Sequence, residues 1–161
     1  MREKNLVLGV DPGSSRTGFG LILSDNENFK LLDYGTISTS KNDKLPQKLK
    51  RIYQGLLRII REKKPDALVV EDAFYKKNAK ALLVMGQIKG AVILAGMNSN
   101  LPVWEYTPTQ VKSAVVGMGS ASKVQVQYMV KNLLGLKEFP EPKDASDALA
   151  VALCHLQRRE P

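Results

Sequence analysis

An α/β fold built on a mixed sheet is predicted by three features of the chain. Leu6-Val7-Leu8-Gly9-Val10 is a continuous apolar run ending at Asp11, and Pro12-Gly13 stops the strand there, so a carboxylate stands at the carboxyl end of a buried strand. Residues 17–24 and 29–38 read as two further strands joined by the polar turn Asp25-Asn26-Glu27-Asn28, which makes an amino-terminal meander. Asp66-Ala67-Leu68-Val69-Val70-Glu71 is a second buried strand ending in an acid. It follows a crossover helix, and such a connection pairs strands in parallel, so Asp11 and Glu71 are expected at the same edge of the sheet.

The crossover helix is written in Leu45, Leu49, Ile52, Leu56, Ile59 and Ile60, spaced by three and four, with Pro46 near its start and Pro65 as its stop. Residues 78–98 form a long helix in which Gly86, Gly90 and Gly96 interrupt leucines and isoleucines. Glycine weakens a helix by roughly 1 kcal/mol relative to alanine, so these positions point to close approach of another backbone, in the chain's own sheet or across a subunit interface. Leu101–Tyr106 is a strand, Thr107-Pro108 opens a helix, and residues 122–134 form another that Gly135 closes. The glycine turn at 116–123 feeds that helix's amino end beside Lys123, a place suited to a phosphate or simply to an N-cap. Asp144 and Asp147 share one face at the start of the last helix, where they act as caps or as ligands.

A chain of 161 residues, 43% apolar and 25% charged, fits one domain spanning residues 1–161. Its apolar runs are far shorter than the ~20 residues of a membrane span, and no secretory segment is legible at the amino terminus. The single cysteine, Cys154, cannot form an internal disulfide and reads as a small core residue; the only histidine, His155, reads as a packing residue. These features predict a soluble cytoplasmic protein. Net charge is +8, and residues 41–64 hold nine Lys or Arg against Asp43 and Glu62. That balance favours a polyanionic partner, although most of these cations occupy the outer face of a helix.

Asp11, Glu71, Asp144 and Asp147 therefore all stand at element ends. Hard oxygen donors without histidine or thiolate select Mg²⁺ or Mn²⁺ over zinc. Two such ions could drive in-line hydrolysis of a phosphodiester.

Five ordered motifs complete the picture: Gly9-Val10-Asp11-Pro12-Gly13; Val70-Glu71 with Phe74 three residues on; Pro108-x-x-Val111-Lys112; Gly117-x-Gly119-x-Ala121-x-Lys123; and Asp144-x-x-Asp147-Ala-Leu-Ala with His155. Together they resemble the RuvC family of Holliday junction resolvases over residues 6–155. The resemblance implies an RNase H-like fold, a mixed five-stranded sheet with helices on both faces, in a bacterial homodimer that acts on a four-way DNA junction. It implies a Mg²⁺-dependent endodeoxyribonuclease, with two ions and with Mn²⁺ able to substitute, working beside a branch-migration complex of the RuvA–RuvB type. Asp11, Glu71, Asp144 and Asp147 match the family's catalytic, metal-binding acids. Lys112 and Lys123 match its lysines near the scissile phosphate, and Phe74 an aromatic near the junction centre. The helix at 78–98 matches its dimer interface. Asp72 is a departure, and strand alternation turns it away from Glu71. Another RNase H-like nuclease, YqgF-like or a ribonuclease H, shares the acid set; a junction-binding module without turnover is the non-enzymatic reading.

Overall fold

The first strand settles the layering, because its side chains alternate between two separate cores. In β1 (Asn5–Asp11) all seven residues are buried. Leu6, Leu8 and Val10 pack with Ile52, Leu56 and Ile60 of α1 (Leu45–Lys63) and with Ile88, Val92 and Ala95 of α2 (Ala79–Asn98). Val7 enters the opposite core, formed with α3 (Pro108–Val116), α4 (Lys123–Leu133) and α5 (Lys143–Arg158). Helices thus cover both faces, as the sequence predicts. This arrangement comes from a computed structural model that describes residues 4–72 and 78–158.

The remaining strands are β2 (Arg16–Asp25), β3 (Asn28–Ser38), β4 (Ala67–Glu71) and β5 (Val103–Tyr106), in the spatial order β3-β2-β1-β4-β5. The meander is antiparallel, and β4 and β5 add in parallel, with Val10 opposite Val70. The β2–β3 turn places Asn26 at φ 60°, a left-handed conformation that asparagine tolerates. Two strands start later than predicted, for identifiable reasons. Asp66 is occupied as an acceptor, its Oδ2 taking the Leu6 N–H at 2.8 Å, so β4 begins at Ala67. Pro102 has no N–H to donate, and only its carbonyl reaches Leu68 N (3.0 Å), so β5 begins at Val103.

Three glycines bring α5 onto the sheet. A β-carbon at Gly9 would overlap the Ala148 carbonyl, at Gly18 the Asp144 carbonyl, and at Gly20 the Leu149 side chain. The bare backbone of β1 and β2 therefore lets the start of α5 settle beside the end of β1.

The glycines of α2 divide. Gly96 fits against Val103 and Leu68, which is close approach within the chain. A β-carbon at Gly86 or Gly90 would meet nothing within 4 Å. On the same outward stripe Leu82, Leu83, Leu94 and Met97 are exposed. The expected absence of a membrane-length apolar segment needs correction here: Ala79–Asn98 is 20 residues long and contains an 18-residue window with a mean hydropathy of 1.4, enough by length and composition alone to cross a bilayer. Counting unbroken apolar runs hid this, because Gly86, Gln87, Lys89 and Gly90 punctuate the helix without making it polar on average. Its inner face nevertheless belongs to the core through Ile88, Val92 and Ala95.

Candidate active site

Asp11 and Glu71 are the last residues of two adjacent parallel strands, one step beyond the Val10–Val70 pair. Alternation points both toward α5, the side on which Val7 and Val69 lie. Their carboxyl groups share a hydrogen bond. Over them the first two turns of α5 deliver Asp144 and Asp147, whose charges both act on Asp11. Cations stand on the rim: Arg16 Nε is 3.3 Å from Asp144 Oδ2, and Lys123 Nζ, at the start of α4, is 3.6 Å from Asp147 Oδ2. Lys112 of α3 is near enough to act with Lys123 on Glu71.

Asp11 is 8% exposed, and burial, the charges of Glu71 and Asp147, the hydrogen bond to Glu71 and the charge of Asp144 push its pKa up to about 9. Burial also raises Glu71, against the Asp11 hydrogen bond and the two lysines. Asp147 is raised by burial as well, with Lys123 opposing. Without a further cation, then, the inner pair holds a proton at neutral pH. A group of acids that must stay partly protonated because they are crowded and dry is a site lacking positive charge.

A divalent cation fits that deficit, and the donors are all carboxylate oxygens, the set preferred by Mg²⁺ and Mn²⁺. Among the described residues, no three His, Cys, Asp or Glu side chains are already closed around one point at ligand spacing. Arg16 and Lys123 draw Asp144 and Asp147 outward instead.

The four acids and two lysines singled out from the sequence are thus brought to one end of the sheet. Phe74 lies outside the described residues. Arg16 went unremarked in the sequence, although it ends the Asp11–Arg16 connection and could have been placed on the rim by that short return. Asp72 turns away from Glu71 as alternation requires and pairs with Lys89 of α2, Nζ to Oδ1 2.7 Å. Cys154 and His155 are buried, and His155 Nδ1 lies 2.9 Å from the Tyr106 hydroxyl, on the α5 face of β5.

A mixed sheet whose central parallel strands end in adjacent carboxylates, completed by acids from a helix laid across it, defines an RNase H-like nuclease. The RuvC family model, described as Crossover junction endodeoxyribonuclease RuvC, matches residues 7–155. Curated relatives carrying that description include one from Desulforamulus reducens, 48% identical over 152 residues (94% of this chain, 93% of the relative). Another, from Syntrophomonas wolfei, is 49% identical over 150 residues (93% and 87%). Among solved structures, Thermus thermophilus RuvC in complex with a Holliday junction substrate superposes with a TM-score of 0.89 at 34% identity, covering 95% of this chain and 93% of that one. Yeast mitochondrial Ydc2 shares the fold with a TM-score of 0.69 at 15% identity, covering 95% of this chain and 78% of that one. The chain belongs to the RuvC family of crossover junction endodeoxyribonucleases.

Proposed function

We propose that this protein resolves four-way DNA junctions by paired symmetric nicks, using Mg²⁺ or Mn²⁺ held by Asp11, Glu71, Asp144 and Asp147. The observation that carries the reading is the convergence of Asp11, Glu71 and Asp147 in one crowded cluster at the sheet's end, where burial raises the pKa of each. Family membership supplies the substrate class, and the cluster supplies the chemistry.

Asp11, Glu71, Asp144 and Asp147 would hold the ions, two on this reading, and the ions would supply Lewis-acid activation of water and stabilisation of the leaving 3′ oxygen. The chain's own groups do the rest. Asp11 and Glu71 must give up the proton they share before an ion enters, so ion uptake strengthens with rising pH. Lys123 and Arg16 pair with Asp147 and Asp144 and would be released to an incoming phosphate if those acids held the ions. Lys112 and Lys123 then face charge that develops as the phosphodiester opens. Water adds to phosphorus, the 3′ oxygen departs with a proton, and a ligatable 5′-phosphate remains. Alanine at either lysine is expected to slow nicking on a saturating junction by about a hundredfold, with a smaller loss of affinity. An unchanged rate with a lowered melting temperature would make that lysine structural.

Basic residues supply attraction that the acids alone would deny to DNA, and binding is expected to weaken steeply with salt. Phe74, which the family resemblance matches to an aromatic near the junction centre, is expected to stack on an unpaired base. A RuvA–RuvB type branch-migration complex is the expected partner, in the bacterial cytoplasm.

The α2 stripe supports a homodimer. Gly86 and Gly90 leave backbone open to a partner, and Leu82, Leu83, Leu94 and Met97 need a cover. Gly90→Phe tests this, because a β-carbon there meets nothing within 4 Å among the described residues and the ring projects from the outward stripe. It is expected to yield a folded monomer by sedimentation that no longer makes paired nicks; an intact dimer would place the interface elsewhere.

Substrate choice is tested by offering a four-way junction, linear duplex and RNA·DNA hybrid in Mg²⁺. Nicking confined to the junction supports resolution. Preferential cutting of RNA supports the ribonuclease reading, and binding without cutting the non-enzymatic one.

A further inference from the structure

Glu71 and Asp72 are consecutive and serve opposite faces of the sheet. Glu71 joins the acid cluster, while Asp72 Oδ1 accepts from Lys89 Nζ at 2.7 Å. The same ammonium lies 3.1 Å from Glu105 Oε1 on β5. The Asp72 N–H donates to the Tyr106 carbonyl at 2.8 Å, adding one rung beyond the end of β4. The residue after Glu71 is thus pinned twice, by backbone to β5 and by side chain to α2. A cavity of about 290 Å³, lined by Asp11, Glu71, Asp72, Met85, Gly86 and Lys89, separates the acids from that helix.

We propose that Lys89, bridging Asp72 and Glu105, is a positioning residue that holds the end of β4 so that Glu71 faces Asp11, and that it carries the seating of α2 into the metal site. The inference rests on the reading of these acids as the metal site. Lys89 lies on α2 between Ile88, which is in the core, and Gly90, which is on the outward stripe. A displacement of the helix therefore moves the ammonium, and with it the peptide that orients Glu71. Burial works to lower the Lys89 pKa, but the Asp72 and Glu105 hydrogen bonds outweigh it and keep the group charged. One cation between two carboxylates also makes the latch fail abruptly. Without it Asp72 and Glu105 repel across adjacent strands, and the last rung of β4 opens next to Glu71.

The test uses the full chain and four variants: Lys89→Met, Lys89→Arg, Asp72→Asn and the Lys89→Met/Asp72→Asn double. Calorimetric titration with Mn²⁺ alone, without DNA, is the first readout, followed by kcat and Kd on a four-way junction. Lys89→Met is expected to weaken Mn²⁺ binding and lower kcat by about tenfold, as loss of a partner that orients a ligand does, with Kd for the junction in EDTA within about twofold of wild type. Lys89→Arg restores both, and the double variant is no worse than Lys89→Met. Unchanged Mn²⁺ affinity in Lys89→Met overturns the proposal. So does a loss that Lys89→Arg fails to rescue and that follows the melting temperature. If wild type binds Mn²⁺ at these acids but cuts no junction, the functional reading fails while the latch is still judged by Mn²⁺ affinity.

Discussion

Asp11→Asn is expected to end cleavage, keep junction binding and stabilise the metal-free protein. The carboxyl of Asp11 ionises ordinarily near 3.8 and in the folded chain near 9. A group whose pKa is raised by folding contributes its full stability below the lower value and loses it as pH rises through the upper one. At pH 8 the wild type must either hold a proton on this carboxyl or bury its charge beside Glu71, Asp147 and Asp144. Asparagine carries no charge at any pH. The variant should therefore melt at least about 2 °C above wild type in EDTA at pH 8, the shift that ~1 kcal/mol produces in a chain of this size. The gap should close toward pH 4, and saturating Mg²⁺ should reverse it, because only the wild type gains the ion's binding energy. Thermal melts across pH with and without Mg²⁺ measure this directly. A wild-type cleavage rate would remove Asp11 from the site, and equal or lower stability at pH 8 would remove the crowding of charge.

Gly18→Ala is expected to damage both stability and activity, although it adds only one methyl group. That methyl would overlap the Asp144 carbonyl and the amide nitrogen of Ala145, which are backbone atoms at the start of α5 and cannot rotate aside. Either the helix lifts or β2 bends. Overpacking of this kind costs about 1–3 kcal/mol, so a melting temperature several degrees lower is expected. Lifting α5 also withdraws Asp144 and Asp147 from Asp11, so nicking should fall more than the population of folded protein does. The rate on a saturating junction, corrected for folded fraction, separates the two effects. A Gly18→Ala protein with wild-type stability would mean that α5 does not rest on this glycine.

The strand ends were legible because apolar runs closing on an acid and a Pro-Gly or loop admit few structures, and Asp11 and Glu71 follow from that pattern alone. Alternation likewise placed Asp72 on the far face before its partner was known. The role of Gly9, Gly18 and Gly20 was not legible. A glycine in a strand says that something comes close but not which helix, and α5 is more than 120 residues away in the chain. Arg16 and Lys89 escaped for a related reason: a lone cation on a turn or a helix is ordinary surface until folding sets a carboxylate opposite it. The apolar character of α2 was read correctly residue by residue and misjudged as a whole, since its glycines and lysines break every run without making the helix polar.

The central claim, that these acids form one metal site from which the ion must displace a proton, is tested most directly by titrating Mn²⁺ into wild type and Asp11→Asn at pH 8. Calorimetry in two buffers of different ionisation enthalpy counts the protons released. The account predicts tight binding with proton release for wild type, and weak binding without release for Asp11→Asn. Equal binding by both proteins, or binding by wild type with no proton released, would contradict it.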